Sequence, residues 1–324
     1  MIDQSQMIEI VSKMELANPN NWCFCNVAVY SMLWTLLNLR TYEPAIWGTQ
    51  CQEIMNFLLT ACQGLCSLAA QPFFREILRC WGRDDLGHLV STISQQDSSE
   101  FIHVWLQQMQ TSAFWMQWEK RVIISDAPHA MDASRERYMP ICLKFDELSV
   151  RSDFCTLNSL ISTWQQVDGM TTALLHAPDC LCVHIDRCVL NPDMSISKCR
   201  SKLQTDEECF FPVFTGDGIA HVFHGYMVVA VMSHLGSDAA GHYRAAMKIR
   251  SMIGQCNNPI QWLITDDWRK PEAVWTQPIW IQEETTMAWL VKTERLQQPF
   301  YTPSHDPCRS STAELLRMLA DPMT

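Results

Sequence analysis

Three kinds of residue in this chain can do covalent chemistry together: a cysteine where a helix begins, a histidine in a strand, and a pair of adjacent acids. Cys23 follows the polar run Asn18-Pro19-Asn20-Asn21-Trp22 and opens the apolar stretch 23–39. At a helix start, unpaired backbone N–H groups and the helix dipole favour thiolate over thiol. A cysteine in such a place is otherwise a small buried residue, so its surroundings must carry the argument. A thiol nucleophile needs a base that takes its proton near neutral pH, as imidazole does, and a carboxylate that holds the imidazole in one tautomer. His184, His234 and His242 lie in strand-like segments, and Asp266-Asp267 closes another. Residue type alone leaves the choice among them open.

The elements that must position these groups follow from periodicity. Residues 23–39, CFCNVAVYSMLWTLLNL, are apolar around nearly the whole helical circumference and predict a deeply buried helix. Helical patterns recur at 52–62, 68–81 and 97–110, the last with Asp97 and Ser98 as cap residues. From about residue 120 the texture changes to short alternating or β-branched runs: RVIIS, ICLKFDEL, CLCVHIDR, HGYMVVAVMS, YRAAMKIR, QWLIT and MAWLVKT. Helices first and antiparallel strands later predict an α+β architecture rather than a doubly wound sheet. Residues 1–295 read as a single catalytic domain, and 296–324 as a linker with a short helix at STAELLRMLA.

Several segments resemble motifs of the ubiquitin-specific proteases. Residues 16–26, LANPNNWCFCN, are similar to the family's cysteine box. QQDSSEF at 95–101 resembles its acidic helix start, and PDCLCVHIDRC at 178–188 a framework strand. YMVVAVMSHLG at 226–236, followed by Gly241-His242-Tyr243, resembles the histidine segment, QWLITDD at 261–267 the aspartate segment, and MAWLV at 287–291 the closing strand. The resemblance implies a papain-like cysteine protease fold, with a helical thumb over about 16–111, short fingers over about 112–175 and an antiparallel β palm over about 176–295. It implies Cys23 as nucleophile, His242 as base and Asp266 as the acid that orients it, with Asp267 as the alternate. Asn18 becomes the donor to the oxyanion, a role that a preorganised amide can fill, although by itself it is an ordinary loop or cap side chain. Gln96 falls near the nucleophile, while Asp97 and Glu100 meet the basic tail of ubiquitin. Capping of their own helix accounts for those two acids equally well. Trp22 stands where the family has a small threonine, so its ring borders the channel for the substrate tail, with Gly241 and Tyr243 flanking the histidine. The same resemblance makes His184 and His234 framework residues.

Composition bounds the partners. Twenty-four basic against 35 acidic residues give a net charge of -11, which repels nucleic acid and anionic membranes and suits a basic partner. The start of the chain has no signal-peptide pattern and no apolar run reaches membrane-spanning length, so an intracellular, cytoplasmic or nuclear protein is expected. The 15 cysteines are odd in number and lack C-x-x-C spacing, so reduced thiols are expected, with no structural zinc and no cofactor. Cys62 and Cys66 lie one helical turn apart, as neighbours on a packed face do. The leading expectation is a deubiquitinase with ubiquitin and its conjugates as partners. A protease for another ubiquitin-like modifier, or a ubiquitin-binding scaffold without activity, are the alternatives.

Overall fold

The computed structural model describes residues 4–12, 23–39, 97–109, 112–124, 127–133, 140–145, 152–167, 169–190, 193–205, 208–237, 240–249, 261–266 and 269–297. In chain order, helices α1 (Gln4–Ser12), α2 (Cys23–Leu37) and α3 (Ser98–Met109) come first. Strands β1 (Trp118–Ile124), β2 (Ala127–Ala133), β3 (Ile141–Lys144) and β4 (Phe154–Thr156) then lead into helix α4 (Leu157–Gln165). After it run β5 (Gln166–Val167), β6 (Met170–Leu174), β7 (Cys180–Asp186), β8 (Cys188–Leu190), β9 (Ile196–Lys198), β10 (Lys202–Gln204) and β11 (Cys209–Phe214). The chain continues through β12 (His221–Ser237), β13 (Ala240–Ile249), β14 (Gln261–Asp266) and β15 (Arg269–Val274), then helix α5 (Ile279–Glu284) and β16 (Thr285–Gln297). The α+β expectation holds, and each of the seven strand-like runs falls on a strand.

Helix α2 holds the centre. It contains no glycine or proline, and every residue from Cys23 to Leu37 is buried, including the two largest, Tyr30 and Trp34. Such a helix draws its stability from packing, since burying each large side chain is worth about 1.5–3 kcal/mol. Its C-terminus is closed by Asn38, whose side-chain amide donates to the Trp34 carbonyl at 2.8 Å. The indole of Trp34 in turn donates to the Lys248 carbonyl at 3.3 Å, which ties α2 to the strand beneath it.

That strand belongs to a sheet organised around β12. The first half of β12 pairs with β11, its second half with β13, and its other edge with β16 along most of its length. β16 continues the sheet to β7 and β3, while β13 continues it to β14 and β15. β11 leads outward to β6, β1 and β2. One long strand therefore carries both the limb that reaches β2 and the edge on which the histidine and aspartate segments end.

A buried arginine braces the far side. Arg187, 3% exposed, donates from Nε to the Thr285 carbonyl at 2.7 Å and from Nη2 to the Gln282 carbonyl at 2.7 Å. Its Nη1 donates to the carbonyls of Cys199 and Ser201 at 3.1 and 3.0 Å. Burial lowers its pKa to about 10, which still leaves it charged at neutral pH.

Helices α1, α4 and α5 were not among the expected elements. α4 buries Leu157, Leu160 and Ile161, a short helical stripe, behind a capping box in which Ser159 donates its N–H to Thr156 Oγ1 at 3.1 Å and its hydroxyl receives the Thr156 N–H at 3.2 Å. Serine in place of the usual Glu or Gln hides that signal. The expected helices at 52–62 and 68–81, Cys62 and Cys66, and the tail after 297 lie outside the described residues. Among the described residues no helix is long and apolar enough to cross a membrane, and no three His, Cys, Asp or Glu side chains gather as a metal-binding group.

Candidate active site

The ladder between β13 and β14 brings the histidine to the aspartate. Ala245 pairs with Thr265, so the next residues outward, Arg244 and Asp266, meet across the strands. Strand alternation puts His242 on the same face as Arg244. His242 Nε2 lies 2.8 Å from Asp266 Oδ1, and Arg244 Nη2 donates to Asp266 Oδ2 at 2.9 Å. Burial works to raise the Asp266 pKa, but the hydrogen bond from His242 and the charge of Arg244, with Arg269 adding, hold it below the usual carboxylate range. The acid is thus ionised at neutral pH. With Nε2 donating to a carboxylate, the neutral imidazole carries its lone pair on Nδ1.

Cys23 is the first residue of α2 and is 3% exposed. α2 packs across β12 and β13, the strand of His242. Tyr243 records what surrounds it: burial, then the charges of Asp97 and Cys23, push its phenol up to about 12 against hydrogen bonds from the backbone and side chain of Ser98. The starts of α2 and α3 therefore converge on the residue next to His242. Asp97 caps α3, with Oδ1 accepting from the Ser99 N–H at 2.6 Å and the Glu100 N–H at 3.3 Å. Both Asp97 and Glu100 are exposed.

The close approach of β12 and β13 requires glycine at 241. A Cβ there would strike the His234 ring and fall 2.6 Å from the Leu235 carbonyl. His234 stacks on Tyr243, ring centroids 4.5 Å apart, opposite it in the ladder. His184 is half-buried on β7, its pKa lowered by burial while Asp97 and Asp186 oppose. Asn18, Trp22, Gln96 and Asp267 lie outside the described residues. Arg244 and Ser98 were missed by sequence reasoning as parts of the site. The signal for Arg244 was its position two residues after His242, on the same strand face.

A buried central helix laid on an antiparallel sheet, in an α+β fold of the ubiquitin-specific protease type, defines the class as cysteine protease. A family model described as ubiquitin carboxyl-terminal hydrolase matches residues 14–278, and the chain belongs to that family of deubiquitinating thiol proteases. No curated protein matches in sequence. Among solved structures, the chain is similar to the Ubp8/Sgf11/Sus1/Sgf73 SAGA DUB module bound to monoubiquitin, at 14% identity and a TM-score of 0.56 over 88% of this chain and 70% of that one. It is equally similar to the module bound to ubiquitin aldehyde, at 15% identity and a TM-score of 0.56 over 89% and 71%. At these identities the likeness is one of fold.

Proposed function

We propose that this chain hydrolyses the isopeptide or peptide bond after the C-terminal glycine of ubiquitin, with Cys23 as nucleophile, His242 as general base and Asp266 as the group that orients it. The observation that carries this reading is the 2.8 Å contact between His242 Nε2 and Asp266 Oδ1. It leaves Nδ1 as the basic nitrogen on a strand that α2 crosses with Cys23 at its first residue.

In this mechanism the Cys23 thiol gives its proton to His242 Nδ1, and the thiolate attacks the carbonyl carbon of the terminal glycine. The oxyanion draws on the N–H groups at the start of α2 and on the Asn18 amide, donors of a kind whose loss costs on the order of 3 kcal/mol. The imidazolium then protonates the leaving amine as the C–N bond breaks, forming the thioester. Water, deprotonated by His242, hydrolyses the thioester and returns the thiol. Asp266 offsets the positive charge of the imidazolium in both halves. Asp267 is the alternate acid. Asp97 and Glu100, exposed at the start of α3, receive the basic substrate tail, and Gln96, Trp22, Gly241 and Tyr243 border its channel. Residues 112–175 read as the fingers and 176–295 as the palm.

The test is covalent labelling with ubiquitin and ubiquitin-like proteins bearing a C-terminal electrophile. The expected result is one adduct with the ubiquitin probe, lost in Cys23→Ala. Labelling by another modifier alone would reassign the substrate, and labelling that survives Cys23→Ala would reassign the nucleophile.

A further inference from the structure

We propose that Arg244 is a positioning residue of the catalytic site: it clamps the second oxygen of Asp266, fixing which oxygen His242 receives and reducing the negative charge felt by the imidazole. This inference rests on the reading of His242 and Asp266 as base and orienting acid.

The geometry sets Asp266 between two cation-capable groups. Oδ1 faces His242 Nε2 at 2.8 Å and Oδ2 faces Arg244 Nη2 at 2.9 Å. A carboxylate with only one partner can rotate and exchange its oxygens; one gripped at both oxygens cannot. The Arg244 side chain is only partly exposed, at 32%, and its Nε is buried with no hydrogen-bond partner among the described residues. An arginine free to choose would aim two N–H groups at one carboxylate as a fork. Here it reaches Asp266 with Nη2 at Oδ2, the oxygen that His242 does not take. The placement follows from the strand itself, since Arg244 is two residues from His242 on one face and directly across from Asp266.

The electrostatic consequence has a definite sign. Arginine stays protonated through the working range, so its charge is permanent. It stands on the far side of the carboxylate from His242 and opposes protonation of the imidazole, both directly and by sharing the carboxylate's charge. Among the described residues, the other charged or titratable groups facing this cluster are Arg269 across from Asp266 on β15, His234 against Tyr243 on β12, Asp97 at the start of α3 and Cys23 at the start of α2. Among them only Arg244 is hydrogen-bonded to the carboxylate that holds His242. Removing it therefore raises the pH at which His242 loses its proton, and moves the acid limb of the rate profile, along which the base becomes neutral, to higher pH.

The experiment uses the full chain as Arg244→Met, which keeps the aliphatic stem, and as Arg244→Lys, which keeps the charge. Two readouts are taken: the pH profile of kcat/KM on a fluorogenic ubiquitin C-terminal amide, and the NMR titration of the His242 ring in a Cys23→Ala background. In Arg244→Met both midpoints move up by roughly 0.5–1 pH unit. Arg244→Lys returns them most of the way, and the rate at neutral pH falls several-fold in Met because the carboxylate is no longer held. An unmoved His242 titration in a folded Arg244→Met protein overturns the proposal, whatever the activity. If Arg244→Met does not fold, Arg244→Gln is read by the same titration against the same criterion. A shifted titration in a protein whose hydrolysis survives Cys23→Ala upholds the role of Arg244 toward His242 while overturning the assignment of the nucleophile, so the two readings fail separately.

Discussion

The phenol of Tyr243, on the histidine strand, is hydrogen-bonded by both the backbone N–H and the hydroxyl of Ser98, the first residue of α3. Ser98 is 2% exposed and Tyr243 5%. The bond therefore lies in a dry place, between the element that carries His242 and the element that presents the acidic pair. It fixes the distance between the base and the surface that would receive the substrate tail.

Tyr243→Phe removes the acceptor and leaves a buried backbone donor without a partner, which costs about 1–3 kcal/mol. Ser98→Ala removes one donor and leaves the other, so its cost is smaller. Denaturant unfolding of the two variants is expected to rank them in that order. Equal midpoints would mean that the phenol is held by packing alone.

Asp97 does two jobs that can be separated. Its Oδ1 caps α3 through the N–H groups of Ser99 and Glu100, and its charge faces solvent at the end of the helix. Asparagine caps a helix about as well as aspartate, whereas alanine costs on the order of 1 kcal/mol. Asp97→Asn combined with Glu100→Gln is therefore expected to keep the stability while raising KM for ubiquitin substrates, and added salt should weaken the original protein in the same direction. Unchanged kinetics in the double variant would leave both acids with capping as their whole role.

Asp266 makes the stability depend on acid. Its pKa is held below the ordinary value in the folded protein, so its contribution is fully present above the unfolded carboxylate pKa and is lost as the pH falls through the folded one. The stability gap between the original protein and Asp266→Asn is expected to be widest near neutral pH and to close as the pH drops below about 4. Measured by chemical denaturation across that range, a gap independent of pH would show that the His242 and Arg244 contacts contribute no charge-dependent stability. At neutral pH the same variant is expected to lose on the order of 100-fold in kcat/KM, because the amide no longer fixes the productive tautomer.

What could be seen before the fold was known depended on how local each signal is. The start of α2 at Cys23 was legible because a polar run followed by an unbroken apolar helix is a local pattern, and strands β12, β13, β14 and β16 because each is a β-branched or alternating run of several residues. The pairing of His242 with Asp266 spans 24 positions and depends on a cross-strand register, which no composition or periodicity encodes; only the order of the family's motifs suggested it. Arg244 could be placed on the face of His242 from its position two residues along the strand, but its contact with Asp266 appears only once β14 is laid beside it. The two- and three-residue strands β4, β5, β8, β9 and β10 are too short to show alternation at all.

Cys23 has a close rival in Cys25, and the helix decides between them. Two residues along α2 turn the side chain by about 200°, so the thiols point to nearly opposite sides and only one can face β13 near His242. The structure gives each a different setting. Cys23 opens α2 beside Tyr243 on the histidine strand, whereas Cys25 is fully enclosed and burial pushes its thiol far up, so that it stays protonated. A thiol that cannot ionise cannot attack. Cys23→Ala is therefore expected to abolish hydrolysis and probe labelling while binding of ubiquitin persists. Cys25→Ala should keep its activity and lose roughly 1 kcal/mol or less of stability from packing. Mass spectrometry of the probe adduct after proteolysis identifies the modified residue directly. An adduct on Cys25, or labelling that persists in Cys23→Ala and vanishes in Cys25→Ala, would shift the register of the whole cysteine segment by two residues and remove Asn18 from its place as oxyanion donor.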